Sequence, residues 1–499
     1  MSSEKHLRVI SKTAILVLLG IFISKLLSYA YRIIVARTEI IGPAGYGTLS
    51  LGIAFYGILS TISLMGLNQG VLRYVAYYKA KNQMQEINNV IKSSIKISLI
   101  PSIIISLALF LLSDYISITL FNNDQLGIVL KIISLAIPID NVKNILISAT
   151  KGFQTIKYEI YSKNLVETIS KIIIAIILIQ LGFGLIGATI AYIAALFFSL
   201  ITIYYLIRKN IPEILKNNKP IKFNKQLLNY SWPLLAYGIL IMIMGWTDTF
   251  MIGYLTKEAT SVGIYNAALP IAQLMYIVPY ALIILLVPIL TETYINKDKE
   301  NFKSIYQTTN KWILYINSLL LIGMLIFPRE IINLLFGDSY VGGAVAMTTL
   351  AFGYYLSFSI KTAESIILTL KKTRLILLSS IIVIIINVIL NLYLIPLYHI
   401  NGAAIATAIS YTLLGLLGGI WAYKLTKINP FKKSYIKIII SMIATIILIY
   451  LIKTIIINFI ILLIITTISY IGILLILRSF EAEEIKIIRM ILEKIKSKV

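Results

Sequence analysis

The sequence of 499 residues contains no cysteine and only two histidines, His6 and His399. Without cysteine the chain can form neither disulfides nor thiolate metal sites, and two isolated histidines do not make a metal or catalytic centre. The sequence also lacks a nucleotide-binding motif and any Asp-x-Asp-like loop that could hold a metal or a nucleotide sugar. These absences argue against an ATPase cassette and a membrane-embedded glycosyltransferase, and no cofactor is expected.

Charged residues are scarce, at 13% of the chain, whereas 59% of residues are hydrophobic and the mean hydropathy is +0.89. This composition excludes a soluble or disordered chain. The apolar runs are continuous, as in residues 436–451, without the alternation of a barrel strand. We therefore predict an all-α polytopic membrane protein with fourteen transmembrane helices. The predicted spans are residues 13–36, 46–70, 96–113, 126–150, 164–181, 185–207, 227–253, 261–290, 311–327, 343–369, 374–395, 401–423, 435–452 and 455–477.

Basic residues are distributed unevenly between the loops. With the N-terminus inside, the cytoplasmic loops and both tails hold 35 of the 45 lysines and arginines, whereas the outer loops hold only Lys257, Arg329 and Lys453. This asymmetry follows the positive-inside rule and predicts a multi-pass protein of the cell membrane with both termini in the cytoplasm. It also accounts for the net charge of +24, so nucleic acid is not an expected partner.

The chain contains an internal repeat. Residues 42–47 (Gly-Pro-Ala-Gly-Tyr-Gly) and 261–266 (Ser-Val-Gly-Ile-Tyr-Asn) align at an offset of 218, and residues 187–191 match 402–406 at an offset of 215. Each repeat holds six spans, an even number, so the two are parallel and related by an axis along the membrane normal. We expect two lobes around a cleft lined by spans 1, 2, 7 and 8. The predicted domains are an N-terminal six-helix lobe at 1–216, a cytoplasmic linker at 217–226, a C-terminal six-helix lobe at 227–425, and two additional helices with a basic tail at 426–499.

Charged residues inside the spans are the main candidates for a functional site. A lysine or arginine at the centre of a span costs roughly 2.5–3.5 kcal/mol on insertion scales and is expected to face a protein-lined or watery interior. Lys25 and Arg32 lie seven residues apart on one face of span 1, and Asp248 lies in span 7. No opposite charge occurs on the same span as any of these three. We predict that Lys25 lines a path for an anionic group and that Arg32 and Asp248 belong to an outer gate.

Further polar residues inside the spans have partners at helical spacing. The pairs of opposite charge are Asp140/Lys143, Glu167/Lys171 and Lys361/Glu364. The two charges of each pair can neutralise each other. Glu167/Lys171 lies near the cytosolic end of its span and is interpreted as structural. The other two pairs either hold helices together or line the substrate path. Asn266 and Gln273 share a face of span 8. The predicted substrate-binding residues are Lys25, Arg32, Asp140, Lys143, Asp248, Asn266, Gln273, Lys361 and Glu364.

Several segments resemble one family. Residues 32–37 leading to 42–47, and residues 66–69 at the end of span 2, are similar to the start of polysaccharide-exporter flippases, the O-antigen-flippase-like branch of the multidrug/oligosaccharidyl-lipid/polysaccharide superfamily. Residues 387–396 and 401–407 are its most specific signature. The chain departs from the usual Tyr-Gly before Gly-Ala, with Tyr-His-Ile-Asn at 398–401. The resemblance covers the whole chain, including the fourteen spans.

The resemblance implies a flippase that moves a polyprenyl-(pyro)phosphate-linked oligosaccharide from the cytoplasmic to the outer leaflet by alternating access, with Lys25 at the substrate phosphate. The chain is therefore expected to be a transporter and not an enzyme. The implied partners are the polyprenyl-phosphate-linked glycan, membrane lipid and glycan-assembly enzymes, and a monomer is expected to be functional. Two alternatives stay open: a peptidoglycan lipid-precursor flippase, and a cation-coupled multidrug antiporter of the same superfamily. The antiporter would concentrate acidic residues in its spans, whereas here five bases stand against four acids.

Overall fold

The structure is a computed structural model that describes residues 23–214, 225–432, 434–454, 458–481 and 484. The beginning of the predicted first span, most of the predicted linker and most of the basic tail lie outside these ranges. The described residues form helices and no strand. Contacts between them divide the chain into two compact units, residues 1–267 and 268–499, and each is described by itself. The predicted domain boundaries stay predictions.

The first unit begins with helix α1 at residues 23–37. The helices that follow are α2 (Gly42–Leu64), α3 (Leu67–Ala80), α4 (Met84–Tyr115), α5 (Asp124–Ser134), α6 (Ala136–Gly152), α7 (Lys157–Glu159), α8 (Glu167–Gln180), α9 (Gly184–Asn210), α10 (Lys225–Thr256) and the first part of α11 (Ala259–Ala272). Left-handed backbone at Met65 and Gly66 separates α2 from α3, so the predicted second span is two helices.

The second unit contains the end of α11 and the remaining helices. These are α12 (Ile277–Ile295), α13 (Lys299–Ile326), α14 (Pro328–Phe336), α15 (Ala344–Phe358), α16 (Ala363–Thr369), α17 (Thr373–Thr426), α18 (Ser434–Ile452) and α19 (Phe459–Ile476). A 3-10 turn at Gln273–Tyr276 interrupts the predicted eighth span between its prolines Pro270 and Pro279. The run α17 is two helices, because the backbone of His399 (φ 51°, ψ −128°) is not helical.

The predicted membrane-embedded character is confirmed. Eleven described helices or helix runs are long and apolar enough to cross a membrane. The run α17 counts once among them although it contains two predicted spans, and α8 is too short to count by itself. The architecture is therefore all-α and polytopic, as predicted, while the number fourteen stays a prediction.

The two motifs that align in the internal repeat pack against one another in the first unit. A Cβ built on Gly47 of α2 would lie 1.9 Å from the carbonyl oxygen of Ala259, and one built on Gly263 of α11 would lie 1.9 Å from that of Pro43. Only glycine permits this backbone approach, since real Cβ contacts are never so short. Small residues at such crossings are typical of close packing between membrane helices. The motifs therefore join α2 and α11.

The last two helices of the chain are fixed to the second unit by a buried ion cluster. The Lys311 ammonium, fully buried at the start of the apolar part of α13, lies 2.8 Å from Glu484 and 3.1 Å from Glu481, which follow α19. Lys432, before α18, binds the other oxygen of Glu481 at 3.1 Å. Burial acts to raise the pKa of Glu481, but hydrogen bonds and charges from Lys432 and Lys311 bring that pKa below its ordinary value. Phe480 also stacks on Tyr315 with ring centroids 4.9 Å apart.

Candidate functional site

The structure divides the predicted substrate-binding residues between the two units. The first unit contains Lys25, Arg32, Asp140, Lys143, Asp248 and Asn266, and the second contains Gln273, Lys361 and Glu364. Lys25 is exposed on α1 and Arg32 is partly buried, while Asp140, Lys143, Asp248 and Asn266 are buried. Their role in binding substrate stays a prediction.

The best-defined polar site of the first unit is an ion cluster of Asp140, Lys143 and Glu167, which we call the acid–lysine cluster. The Lys143 ammonium lies 2.8 Å from an oxygen of Asp140 on the same helix and 2.7 Å from an oxygen of Glu167 on α8. The Lys143 side chain is 1% exposed. The predicted i,i+3 pair Asp140/Lys143 is thus confirmed, and a second carboxylate joins it.

Neighbouring side chains on α2 hold the acid–lysine cluster in place. The Ser60 hydroxyl donates to Asp140 at 2.9 Å, and Ser60 is itself buried. The amide of Asn141 donates to Ser63 at 2.7 Å. Because charge-assisted hydrogen bonds satisfy both the lysine and Asp140, the cluster can remain ionised inside the bundle. Its contacts join α2, α6 and α8.

The pairing predicted for Glu167 and Lys171 is wrong, because Glu167 binds Lys143 instead. The Lys171 ammonium lies over two aromatic rings, 4.7 Å from the centroid of Tyr31 and 5.2 Å from that of Tyr192. Among the described residues it makes neither an ion pair nor a hydrogen bond. Tyr31 is itself fixed, since its hydroxyl donates to the carbonyl of Ala188 at 3.3 Å.

Arg32 and Asp248 both contact tyrosines of the repeated motifs. Arg32 donates to the hydroxyl of Tyr46 at 3.4 Å, and this hydroxyl lies 3.5 Å from the carbonyl oxygen of Asn266. Asp248 accepts a hydrogen bond from Tyr265. The chain of contacts Arg32–Tyr46–Asn266 therefore runs from α1 through α2 to α11, beside the close approach of Gly47 and Gly263.

Asn266 extends this chain of contacts to α10. Its side chain exchanges hydrogen bonds with Thr249 at 3.2–3.3 Å, and Thr249 directly follows Asp248 in the sequence. We call the residues Arg32, Tyr46, Asp248, Tyr265 and Asn266 the tyrosine junction. No direct bond between Arg32 and an acidic side chain occurs within the described residues.

The predicted charged pair of the second unit, Lys361 and Glu364, is partly exposed. Lys361 and Glu364 form the expected i,i+3 ion pair, with side chains 28% and 32% exposed. Gln273 is partly buried at the start of the 3-10 turn. Asn387 donates to Thr407 at 3.1 Å across the two helices of α17, which agrees with the structural role expected for buried amides.

The charged side chains of the first unit differ in whether they have a partner of opposite charge. No group of three or more histidine, cysteine or acidic residues that could hold a metal ion occurs in the described part of the chain. Asp140, Glu167 and Asp248 are engaged by a lysine or a tyrosine, whereas Lys171 and Arg32 form no ion pair among the described residues. The sequence analysis interpreted Lys171 as half of a structural pair, because its spacing from Glu167 is that of an ordinary helical pair.

The sequence matches a family model and is similar to known membrane proteins. The sequence model of a family described as "Polysaccharide biosynthesis protein" matches residues 10–294, more than half of the chain. An uncharacterized membrane protein of Methanocaldococcus jannaschii, MJ1068, is 25% identical over 461 residues, which cover 86% of this chain and 87% of that protein.

Two further comparisons concern proteins named lipid II flippase MurJ. The one from Bacillus subtilis is 23% identical over 437 residues, which cover 80% of each chain. A solved structure of a MurJ in an inward closed conformation superposes with a TM-score of 0.72 at 18% identity, covering 92% of this chain and 98% of that one. This likeness shows a shared fold. Together with the apolar helices, it establishes a multi-pass membrane protein.

Proposed function

Because this chain belongs to the polysaccharide biosynthesis protein family, we propose that it is a flippase for a polyprenyl-(pyro)phosphate-linked oligosaccharide. It moves this lipid from the cytoplasmic to the outer leaflet by alternating access. The observation that carries the proposal is the presence of Arg32 and Lys171 within membrane helices, with no acidic partner among the described residues. Cations of this kind are functional by default, because their burial in lipid is costly.

The chemistry of the proposed substrate matches this site. A phosphate or diphosphate offers several negatively charged oxygens to lysine and arginine donors, and such charge-assisted hydrogen bonds are about twice as strong as neutral ones. The planar guanidinium of Arg32 suits bidentate binding of phosphate. The prenyl chain can remain in lipid while the glycan occupies polar space, and Lys25 on the same face of α1 extends the proposed path.

The tyrosine junction is the proposed gate on the outer side. Arg32 is bound there through Tyr46 to the backbone of Asn266, and Asp248 is bound through Tyr265. A phosphate that reaches Arg32 would compete with the long 3.4 Å contact to Tyr46. Differences of 1–3 kcal/mol are typical of couplings between sites, so the exchange of one such contact is enough to favour opening. The predicted gate of Arg32 and Asp248 thus operates through neighbouring tyrosines.

A second candidate is a flippase for a peptidoglycan lipid precursor. The two compared proteins named lipid II flippase favour it. Both candidates share a polyprenyl carrier, so the phosphate-binding residues would serve either. The glycan distinguishes the two.

The test is deletion of the gene, followed by mass spectrometry of the lipid-linked glycans in spheroplasts. We expect one species to accumulate on the cytoplasmic side, and a plasmid-borne copy of the gene to restore its normal level. Complementation with Arg32→Gln should fail although the protein is present in the membrane. No accumulation of any lipid-linked glycan would contradict the proposal, and accumulation of a peptidoglycan precursor alone would favour the second candidate.

A further inference from the structure

The ion pairs of the first unit do not include Lys171, which has no ion pair among the described residues. The carboxylates of Asp140 and Glu167 both lie within 2.8 Å of the Lys143 ammonium. Lys143 therefore has two acid partners, one on its own helix and one on α8, and Glu167 forms its ion pair with Lys143 and not with Lys171 one helical turn away. An ammonium has three N–H donors, and those of Lys171 find no acceptor among the described residues.

The described surroundings of the Lys171 ammonium include two aromatic rings. The rings of Tyr31 and Tyr192 lie 4.7 and 5.2 Å from its nitrogen, distances at which a ring face attracts a cation. Such contacts orient an ammonium but do not replace hydrogen bonds. Lys171 is only partly buried, so a ligand can reach it.

Arg32 lies beside this site, and the continuous helical run from Lys157 to Gln180 puts Lys171 near its middle and not at the cytosolic end expected from the sequence. Arg32 follows Tyr31 in α1, and its charge acts on the Lys171 ammonium, as does the opposite charge of Glu167. Its single described hydrogen bond, to Tyr46, is long at 3.4 Å, so most of its five N–H donors stay available. Two neighbouring cations favour an anion with more than one charged oxygen.

We propose that Lys171 and Arg32 together bind a phosphate group of the transported lipid against the rings of Tyr31 and Tyr192. This inference rests on the proposed function and assigns the phosphate site to a lysine of α8 that the sequence marked as structural. Lys143, which is satisfied by two carboxylates, holds helices together and does not bind substrate. Substitution of Lys171 therefore changes affinity for phosphate and leaves the packing of the first unit intact.

The experiment measures binding to the purified full-length protein in zwitterionic nanodiscs by microscale thermophoresis. The probes are a polyprenyl diphosphate, the polyprenyl alcohol of the same chain length, and inorganic pyrophosphate. We expect Lys171→Gln to weaken binding of the diphosphate lipid about tenfold or more and to leave binding of the alcohol unchanged. Lys171→Arg, which keeps the charge, should stay within about threefold of the wild type.

Lys209→Gln is the matched control, because Lys209 also lies over a tyrosine ring, 5.9 Å from that of Tyr205, but at the exposed end of α9. It should bind all probes as the wild type does. If Lys171→Gln binds the diphosphate lipid normally while Arg32→Gln does not, the assignment of Lys171 is wrong and the proposed function stands. If the wild type binds diphosphate lipid and alcohol equally, the proposed function fails as well. Equal binding of inorganic pyrophosphate, lost in Lys171→Gln, would assign the site to a soluble phosphate and overturn the lipid assignment.

Discussion

Replacing Lys143 by methionine tests whether the acid–lysine cluster is structural. The change removes the cation that binds Asp140 at 2.8 Å and Glu167 at 2.7 Å, with side chains that are 11% and 17% exposed. Two carboxylates then face each other in a low-dielectric interior. Breaking a buried ion pair by removing one partner costs roughly 3–5 kcal/mol.

This loss should be visible in thermal unfolding of the purified protein, followed by intrinsic fluorescence. For a unit of this size each kcal/mol changes the apparent Tm by roughly 2–4 °C, so we expect Lys143→Met to unfold roughly 6–20 °C below the wild type. Asp140→Asn and Glu167→Gln added to Lys143→Met should recover much of the loss, because no buried charge remains. Lys131→Met is the matched control: its ion pair with Asp114 is exposed, at 36% and 63%, and is worth about 0–1 kcal/mol. An unchanged Tm in Lys143→Met, or a triple variant no better than the single one, would refute the reasoning.

Three further outcomes are expected. Gly263→Ala should abolish transport in the complementation assay, because the added Cβ would overlap the carbonyl oxygen of Pro43. The control Gly323→Ala should transport normally, because there is open space around Gly323. Equal activity of the two variants would contradict the packing of α2 against α11. Truncation after residue 477 should lower the apparent Tm, because it leaves Lys311 without Glu481 and Glu484. Lys311→Met in the truncated chain should restore part of the lost Tm. If the Tm does not recover, the ion cluster does not stabilise the fold. Tyr46→Phe should lower the transport rate by weakening the junction at Arg32, and a normal rate in proteoliposomes would count against the gate.

Much of the fold follows from the sequence because apolar runs and their interruptions are local. The break near residues 396–400 is visible in the sequence and appears as the non-helical residue His399. The repeated motifs at 42–47 and 261–266 are also visible, and the structure brings them into contact at Gly47 and Gly263. The i,i+3 pairs Asp140/Lys143 and Lys361/Glu364 form as expected, since both partners lie on one helix.

The remaining contacts depend on how helices meet in space. Glu167 has a lysine one turn away on its own helix, yet it binds Lys143 on α6, because the crossing of α6 and α8 brings those atoms to 2.7 Å. Lys311 belongs to the basic residues counted in the cytosolic loops, and its acid partners lie 170 and 173 positions later. Helical periodicity contains no information about such pairs, so neither the ion pair of Glu167 with Lys143 nor the anchoring of α18 and α19 could be predicted.

The proposal that Arg32 and Lys171 bind the phosphate of a transported lipid is tested most directly by leaflet exchange in proteoliposomes. A fluorescent polyprenyl-diphosphate-linked sugar is placed in both leaflets, and a membrane-impermeant reagent quenches the outer one. The wild type should make the inner pool accessible much faster than protein-free liposomes, and the double variant Arg32→Gln, Lys171→Gln should be as slow as those liposomes while keeping its apparent Tm. The proposal would be contradicted if the double variant exchanged the lipid at the wild-type rate, or if the wild type did not accelerate exchange over protein-free liposomes.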